Sequence, residues 1–190
     1  MVLDGAVQLF AREHLDDISL DQLARVSGVS AFDIVRHYQS RENILTAVLE
    51  RELALIAAAA HAPELRMPGK TLRDELHVLG GVIMREYRRR LPFFGRLLAA
   101  ALRNPETGAL FHRTFIVQGR LFFTEFLDER RKAGELREDL DVDAAAAILL
   151  AALTGPLFTE LFGGKRVANL DDERLLRELA NLLLEGVTRR

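Results

Sequence analysis

The amino-terminal part of the chain shows the spacing of apolar residues expected of a short amphipathic helix. The apolar residues of the first ten positions recur at the i, i+3, i+4 and i+7 spacing of one helix face: Leu3, Ala6, Val7 and Phe10. From Arg41 onward the pattern stays helical, and no stretch alternates between apolar and polar residues as a half-buried strand would. The pattern therefore predicts an all-α fold of about nine helices.

Two polar residues mark the starts of short helices after residue 18. Ser19 is followed three places later by Gln22, and together they form the capping box expected where a helix begins. Gly28 is expected to end this helix, because glycine adopts the left-handed conformation without a steric penalty. Ser30, with Asp33 at the matching cap position, then starts a second, very short helix.

The second short helix is predicted to present most of its side chains to solvent. Ile34 and Tyr38 lie one turn apart and should face the core. The side chains expected to point outward are Ala31, Phe32, Asp33, Arg36 and His37. Because Ser40 caps a long helix beginning at Arg41, two short helices joined by a glycine turn precede a long one. This is the layout of a helix-turn-helix motif, whose second helix enters the major groove of duplex DNA.

The order of these features resembles the amino-terminal domain of the TetR family of transcriptional regulators. The resemblance rests on Ala6-Val7-Gln8-Leu9-Phe10, Leu23-Ala24, Gly28-Val29-Ser30, Ile34-Val35-Arg36-His37-Tyr38 and Ser40-Arg41-Glu42. It covers roughly residues 2–50, and the stretch at 134–140 is of a kind often seen before the penultimate helix of that family. The resemblance implies a homodimer that binds a palindromic operator, as a repressor, and is released by a small apolar or amphipathic effector.

The residues expected to contact DNA lie on the two short helices and at the start of the next. They are Ser19, Ser30, Ala31, Phe32, Asp33, Val35, Arg36, His37, Tyr38 and Arg41. Arg36 is the candidate for a base edge or a nearby phosphate. The candidates for backbone phosphate are Arg41, His37 and Tyr38. Asp33 either caps its helix or accepts a hydrogen bond from a cytosine amino group.

Two positions depart from the family's pattern. Val35 stands where relatives usually carry a tyrosine that touches the DNA backbone, and Phe32 stands where they usually carry a small residue. The chain also begins almost at its first predicted helix, whereas many relatives place a basic arm before it.

The charge of the first 50 residues opposes phosphate binding. Four arginines and eight carboxylates give them a formal charge of −4. Most of the acids fall in the first two predicted helices or their loop, whereas Arg36, His37 and Arg41 cluster at the end of the recognition helix. Exposed charges farther apart than about 8 Å are largely screened at physiological salt. We therefore expect DNA binding with fewer phosphate contacts than a strongly basic domain makes.

Composition narrows the class of protein. A chain of 190 residues with 49% hydrophobic content is long enough and apolar enough to fold around a sizeable core. It contains no cysteine and starts with no recognisable leader, so a cytoplasmic protein is expected. The longest uncharged run, Ala144 to Thr159, is shorter than a membrane span and is expected to be a buried helix.

Aromatic residues are concentrated in the second half of the chain. Nine of the 11 phenylalanines lie between residues 93 and 162. Such a stripe is commonly plain core, but two helices rich in phenylalanine also suit a largely apolar cavity for a small molecule, and the resemblance implies the same. The expected pocket residues are Met84, Tyr87, Phe94, Leu97, Phe111, Phe115, Phe122, Phe123 and Phe126.

The last two predicted helices are apolar around most of their circumference. A monomer would leave much of this surface exposed to water, so we expect a two-fold dimer in which these helices form a four-helix bundle. The expected interface residues are Leu149, Leu153, Leu157, Leu175, Leu179, Leu182 and Leu183. Packing of both helices as internal core is the alternative.

No arrangement in the sequence indicates catalysis or a metal. The five histidines lack metal-ligand spacing, and no glycine-rich phosphate loop, nucleophile elbow or Ser-His-Asp order occurs. We therefore expect no cofactor, no metal and no enzymatic activity. The predicted division is a DNA-binding domain at residues 1–46 and a ligand-binding and dimerisation domain at 47–190. Two alternatives remain: a small-molecule-binding dimer that has lost operator binding, and a helical enzyme that uses the aromatic cavity.

Overall fold

The computed structural model describes residues 1–61, 71–163 and 171–187. Within these ranges the chain forms α1 (Val2–Phe10), α2 (Leu20–Ser27), α3 (Ala31–Tyr38), α4 (Arg41–Ala60), α5 (Leu72–Arg89), α6 (Leu91–Ala101), α7 (Pro105–Phe111), α8 (Gln118–Lys132), α9 (Val142–Gly163) and α10 (Asp172–Val187). A 3-10 turn spans Leu15–Asp17, and a π-helical segment, His112–Val117, joins α7 to α8. With α7, this segment and α8 taken as one continuous helix, the described residues contain nine helices and no strand. The predicted all-α fold is confirmed.

The chain divides into two compact units. The first contains residues 1–55 and 90–116, and the second contains residues 56–89 and 117–190. The first unit therefore includes α6 and α7 as well as the amino-terminal helices, because α6 packs against α1 and α7 packs against α6. A functional boundary at residue 46 stays a prediction.

The core of the first unit is built around the amino-terminal helices. Phe10 of α1 stacks on Phe93 of α6 with ring centroids 6.3 Å apart. Ile34 of α3 and Leu49 of α4 are fully buried. These contacts fix the short helices of the helix-turn-helix to the longer ones, so burial supplies the stability that two-turn helices lack alone.

A buried carboxylate also holds this unit together. Glu52 of α4 accepts hydrogen bonds from Arg90 Nε at 2.7 Å and from Arg51 Nη2 at 2.8 Å. Arg51 reaches α1 through Asp4, at 2.7 Å between Nη1 and Oδ1. A hydrogen bond from the amino-terminal ammonium group and the ion pair with Arg51 hold the pKa of Asp4 below its usual value.

In the second unit, α9 packs on α5 and α8, and α10 packs on α5. A Cβ atom added at Gly80 of α5 would overlap the side chain of Leu176 of α10, so glycine permits this close approach. Arg88 of α5 joins the three helices α5, α9 and α10 by binding Glu160 at 2.8 Å and Asp172 at 2.6 Å. These hydrogen bonds raise the pKa of Arg88 above its usual range.

The long helix α9 is only partly buried, although the sequence predicted a buried helix. Its length and apolar composition would suit a membrane span, as they suit core helices of other proteins, and 39% of its most apolar stretch is buried inside the protomer. One face packs into the second unit while the opposite face is exposed, with Ile148 63% exposed. A single such helix does not by itself indicate a membrane protein.

Candidate nucleic-acid interface and ligand-binding region

The turn between α2 and α3 has the local geometry predicted from its caps. The Gln22 backbone N–H donates to Ser19 Oγ at 3.2 Å, and the Ser19 N–H donates to Gln22 Oε1 at 2.7 Å. Gly28 ends α2 in the left-handed conformation, with φ 69°. The Asp33 N–H donates to Ser30 Oγ at 3.1 Å at the start of α3. The capping box, the glycine turn and the second cap are therefore confirmed.

The exposed side of α3 carries five of the ten side chains predicted to reach DNA. Ile34 is fully buried and anchors the helix, while Phe32 is 74% exposed and Val35 is 44% exposed. Asp33, Arg36 and His37 are exposed on the same helix, and Ser19 and Ser30 at the helix caps are exposed as well. Ala31, Tyr38 and Arg41 are half-buried.

Tyr38 was expected to face the core but takes an intermediate position. Its ring contacts the His37 ring edge to face, with centroids 4.6 Å apart. Because Tyr38 is the last residue of α3, it lies beyond the segment that Ile34 holds against the core. Its partial exposure leaves the phenol beside the His37 ring at the end of the helix.

Asp33 is engaged at the start of its own helix. Its carboxylate accepts a hydrogen bond from the Ser30 hydroxyl at 2.6 Å. Its backbone N–H donates to the hydroxyl oxygen of Ser30. Of the two roles that the sequence allowed for this residue, the structure therefore shows the cap.

The junction between α3 and α4 contains a conformation that the sequence did not reveal. Gln39 has φ 65° and ψ −40°, a left-handed region that few residues other than glycine adopt. The Ser40 N–H donates to the Tyr38 carbonyl at 2.7 Å, which closes a three-residue γ-turn. Asn43 secures the turn, since its Nδ2 donates to the same carbonyl at 2.8 Å.

The start of α4 is stabilised by Glu42 as well as Ser40. The pKa of Glu42 is lowered because its carboxylate accepts hydrogen bonds from its own backbone N–H and from the Ser40 side chain. The carboxylate remains ionised at neutral pH beside Arg41. This acid offsets part of the positive charge that Arg41 brings to the α3–α4 junction.

The aromatic residues predicted to line a pocket fall in both compact units. In the first unit, Phe94, Leu97, Phe111 and Phe115 are all buried. The Phe115 ring lies 5.0 Å from Phe94 and 4.9 Å from Phe111. These rings fill space against one another, as residues of an ordinary aromatic core do.

In the second unit, two of the predicted residues line a cavity. Met84, Tyr87 and Phe123 are buried, and burial raises the pKa of the Tyr87 phenol. Phe122 and Phe126 are half-buried and border a cavity of about 60 Å³. We call it the α8 cavity; its lining also includes His61, Glu75 and Arg130.

The α8 cavity has a polar lining, whereas the sequence pattern indicated a largely apolar site. Glu75 of α5 and Arg130 of α8 form an ion pair, and the Arg130 guanidinium lies 5.4 Å from the centre of the Phe126 ring. The position of Arg130 one turn after Phe126 is a visible signal, but its pairing with a residue 55 positions earlier is a long-range contact that the spacing does not encode.

Comparison with known proteins decides the family. A family model for the tetracyclin repressor-like C-terminal domain matches residues 67–180, more than half of the chain. The chain belongs to the TetR family of transcriptional regulators. No curated protein sequence matches it.

Solved structures of several regulators share this fold. A protein from Mesorhizobium loti assigned to the family has a TM-score of 0.82 at 16% identity, over 99% of this chain and 95% of its own. A TetR family transcriptional regulator from Pseudomonas syringae has 0.73 at 18% identity, over 100% and 96%. The fatty acid degradation regulator FadR from Bacillus halodurans has 0.75 at 15% identity, over 96% and 92%. At these identities the likeness shows the fold alone.

In this TetR-family chain, three of the residues predicted at a subunit interface are buried within the protomer. Leu149, Leu153 and Leu157 of α9 are 1–4% exposed, so they belong to the core of the protomer and offer no surface to a second copy. Among the other predicted interface residues, Leu182 is 72% exposed. Leu175, Leu179 and Leu183 are half-buried.

The surface of α9 that remains available lies on the opposite side of the helix. Its exposed apolar residues are Ala144, Ala147, Ile148, Ala151 and Phe162. The sequence of α9 is apolar on every side, so its pattern had no phase that would tell the inner face from the outer one.

Proposed function

We propose that this TetR-family chain is a dimeric, ligand-responsive repressor that reads a palindromic operator. The observation that carries the proposal is the exposed face of α3. One residue, Ile34, anchors a two-turn helix, while Arg36 and His37 project from it within a helix-turn-helix. A recognition helix needs this division between an anchored side and a free side. In this role the protein acts in the cytoplasm.

We assign Arg36 to a base edge or an adjacent phosphate. A guanidinium on the exposed side of α3 matches the two acceptors of guanine in the major groove. Phe32 provides an apolar surface of the kind that contacts thymine methyl groups. The Asp33 carboxylate accepts a hydrogen bond from the Ser30 hydroxyl, so we assign Asp33 no contact with a DNA base.

The phosphate contacts are assigned to the end of α3 and the start of α4. Arg41 begins a 20-residue helix, where backbone N–H groups and the helix dipole favour an anion. His37 and Tyr38 lie just before it and supply a donor each. These contacts position the domain, whereas the Arg36 contact selects the sequence.

Two copies of the chain are proposed to meet through α9 and α10. The exposed face of α9 and the Leu182 side of α10 together present apolar surface that a monomer would leave in water. The alanines at 144, 147 and 151 would let a partner helix approach closely. A two-fold arrangement then presents two recognition helices to half-sites about 34–36 Å apart.

Helix α4 is the proposed route from ligand to DNA. It carries Arg41 at one end, while its last residue, Ala60, lines the α8 cavity in the second unit. A ligand in that cavity would shift the carboxyl end of α4 and change the separation of the two recognition helices. A coupling free energy of about 1–3 kcal/mol, or roughly 5–150-fold in affinity, is sufficient for such a switch.

Fluorescence polarisation with the palindromes that flank the gene for this chain tests the proposal. The full-length protein should bind one of these duplexes at least about 10³-fold more tightly than a random duplex at the same salt. Equal affinity for both at low salt would refute operator reading. It would favour a ligand-binding dimer without an operator, the candidate to which the −4 charge of residues 1–50 points.

A further inference from the structure

We infer that the α8 cavity binds a small organic cation, which it holds in the place now taken by the Arg130 guanidinium. This inference rests on the proposed function, since it names the chemical class of the effector. It departs from the apolar or amphipathic effector that the sequence indicated. Three properties of the lining carry it: its charge, its aromatic surface and the cation that it already holds.

The lining of the α8 cavity is acidic. Among the described residues of the lining, Glu75 of α5 and Glu125 and Glu129 of α8 stand against one permanent cation, Arg130. Glu75 is only 13% exposed, so water screens its charge less than that of a surface carboxylate. An anionic ligand would meet three carboxylates here, whereas a cationic one would relieve their repulsion.

The apolar part of the lining is aromatic. The His61 ring meets the Phe122 ring edge to face, with centroids 5.0 Å apart. His61 Nδ1 lies 2.8 Å from the Ala57 carbonyl, which orients the imidazole. The negative faces of aromatic rings attract a cation within about 6 Å of their centres. The cavity therefore combines ring faces with carboxylates, as sites for substituted ammonium ions do.

Arg130 shows that a cation fits this environment. Its guanidinium lies 5.4 Å from the centre of the Phe126 ring and pairs with Glu75. It also has another partner outside that pair, because Nη1 lies 3.4 Å from Glu135 Oε1. A ligand cation takes over the Phe126 ring and the Glu75 carboxylate, and Arg130 swings to Glu135 and solvent.

The size of the cavity makes ligand binding depend on displacement of Arg130. At about 60 Å³ it is smaller than the roughly 150 Å³ cavity that admits benzene. A ligand larger than a few atoms must therefore use the space that Arg130 vacates. Occupancy and displacement of Arg130 are the same event, so the ligand competes directly with a side chain of the protein.

Calorimetric titration of the full-length protein tests the charge preference. The probes are benzyltrimethylammonium and its neutral near-isostere 2-methyl-1-phenyl-2-propanol, which match in shape and differ in charge. We expect the cation to bind at least about tenfold more tightly, and the difference to shrink as salt is raised. Equal affinities, or tighter binding of the alcohol, would overturn the inference.

Two substitutions with opposite expected effects exclude a merely structural role. Arg130→Met removes the internal competitor, so benzyltrimethylammonium should bind about tenfold more tightly; Glu75→Gln should weaken it about tenfold. The control Asp139→Asn removes an exposed carboxylate outside the lining and should change nothing. If Arg130→Met and Glu75→Gln shift the affinity in the same direction, direct competition is refuted. Should Glu75→Gln fail to fold, the exposed Glu125→Gln replaces it, with a severalfold loss expected and no loss counting against the site.

A parallel DNA titration separates this inference from the proposed function. A chain that binds its palindrome but shows no preference for the cation overturns the inference alone. A chain that prefers the cation but binds no palindrome supports the cation site and refutes the repressor. If both hold, benzyltrimethylammonium should weaken binding to the palindrome in the wild-type protein, and Glu75→Gln should need about tenfold more of it.

Discussion

Oε2 of Glu52 lies 2.7 Å from Nε of Arg90, a residue 38 positions further along the chain. Glu52 is buried and Arg90 nearly so, with 6% and 14% of their side chains exposed. The pair ties α4 to the start of α6 inside the first compact unit. Breaking a buried pair is costly because the remaining charge stays buried without its partner.

Glu52→Ala should therefore lower the free energy of unfolding by about 3 kcal/mol. Urea denaturation followed by circular dichroism measures this loss as a lower midpoint. Glu50→Ala is the matched control, since it removes an exposed carboxylate of the same helix and should change stability by less than about 0.5 kcal/mol. Similar midpoints for the two variants would show that the pair adds nothing to stability.

The γ-turn at Gln39 predicts that substitution of this residue by glycine stabilises the protein. Its φ of 65° is strained for a residue with a Cβ atom. Gln39→Gly should raise the free energy of unfolding by about 1 kcal/mol, and Gln39→Val should lower it by at least as much, because a β-branched side chain tolerates this region poorly. Thermal melts of the three proteins make the comparison. Equal melting temperatures for glycine and valine would contradict a left-handed Gln39.

Glu42 makes the stability of the α4 start depend on pH. Its pKa in the folded protein lies below its ordinary value of 4.5. A group with a depressed folded pKa stabilises the protein above its unfolded pKa, and the contribution is lost as pH falls through the folded pKa. Glu42→Gln should therefore lower stability at neutral pH and flatten the decline below pH 4.5. Urea midpoints across this range measure it, with exposed Glu50→Gln as control; parallel curves for Glu42→Gln and wild type would exclude the effect.

Substitution of Arg36 and substitution of Arg41 should change DNA binding in different ways. Arg36→Ala should weaken the binding free energy for the operator by about 1–3 kcal/mol and that for a random duplex by much less, so that sequence specificity falls. Arg41→Ala should weaken all duplexes alike and reduce the salt dependence by about one counterion. Polarisation titrations at several salt concentrations separate the two effects. Identical profiles for both variants would remove the assignment of base and phosphate roles.

The exposed face of α9 predicts the subunit contact. Ile148→Glu places a charge at its centre and should leave the protein monomeric at micromolar concentration in sedimentation velocity, with its helix content kept. Leu102→Glu is the control, because Leu102 is, like Ile148, a large and highly exposed aliphatic residue but lies after α6. A dimer that survives Ile148→Glu would place the interface on another surface.

The sequence predicted the helix-turn-helix well because its signals are local. Each of these signals involves residues no more than three positions apart: the helix caps at Ser19 and Ser30, and the left-handed turn at Gly28. The positive φ of Gln39 was not predicted, because such a conformation has no local sequence signal when the residue is neither glycine nor asparagine. The turn is held by Asn43 and by the packing of both neighbouring helices.

The ligand and dimer residues were harder to predict because their roles depend on long-range packing. Leu149, Leu153 and Leu157 repeat every four residues like any buried stripe, but the exposed Ala144, Ala147 and Ala151 of the same helix also recur at helical spacing. Likewise, nothing in the spacing of the phenylalanines separates Phe115, packed among rings, from Phe126, which borders a cavity with Arg130. Only the fold brings Glu75 to that ring.

In the proposed dimer, the partly uncovered α9 makes the thermal stability depend on protein concentration as well as on the chain itself. Apolar surface that only a second copy can shield contributes to folding by mass action, so the midpoint of a thermal scan should climb as the protein is concentrated. At a low concentration in the cell, the protein would then exist as less stable monomers. The exposed face of α9 would set the concentration that the protein needs in order to function.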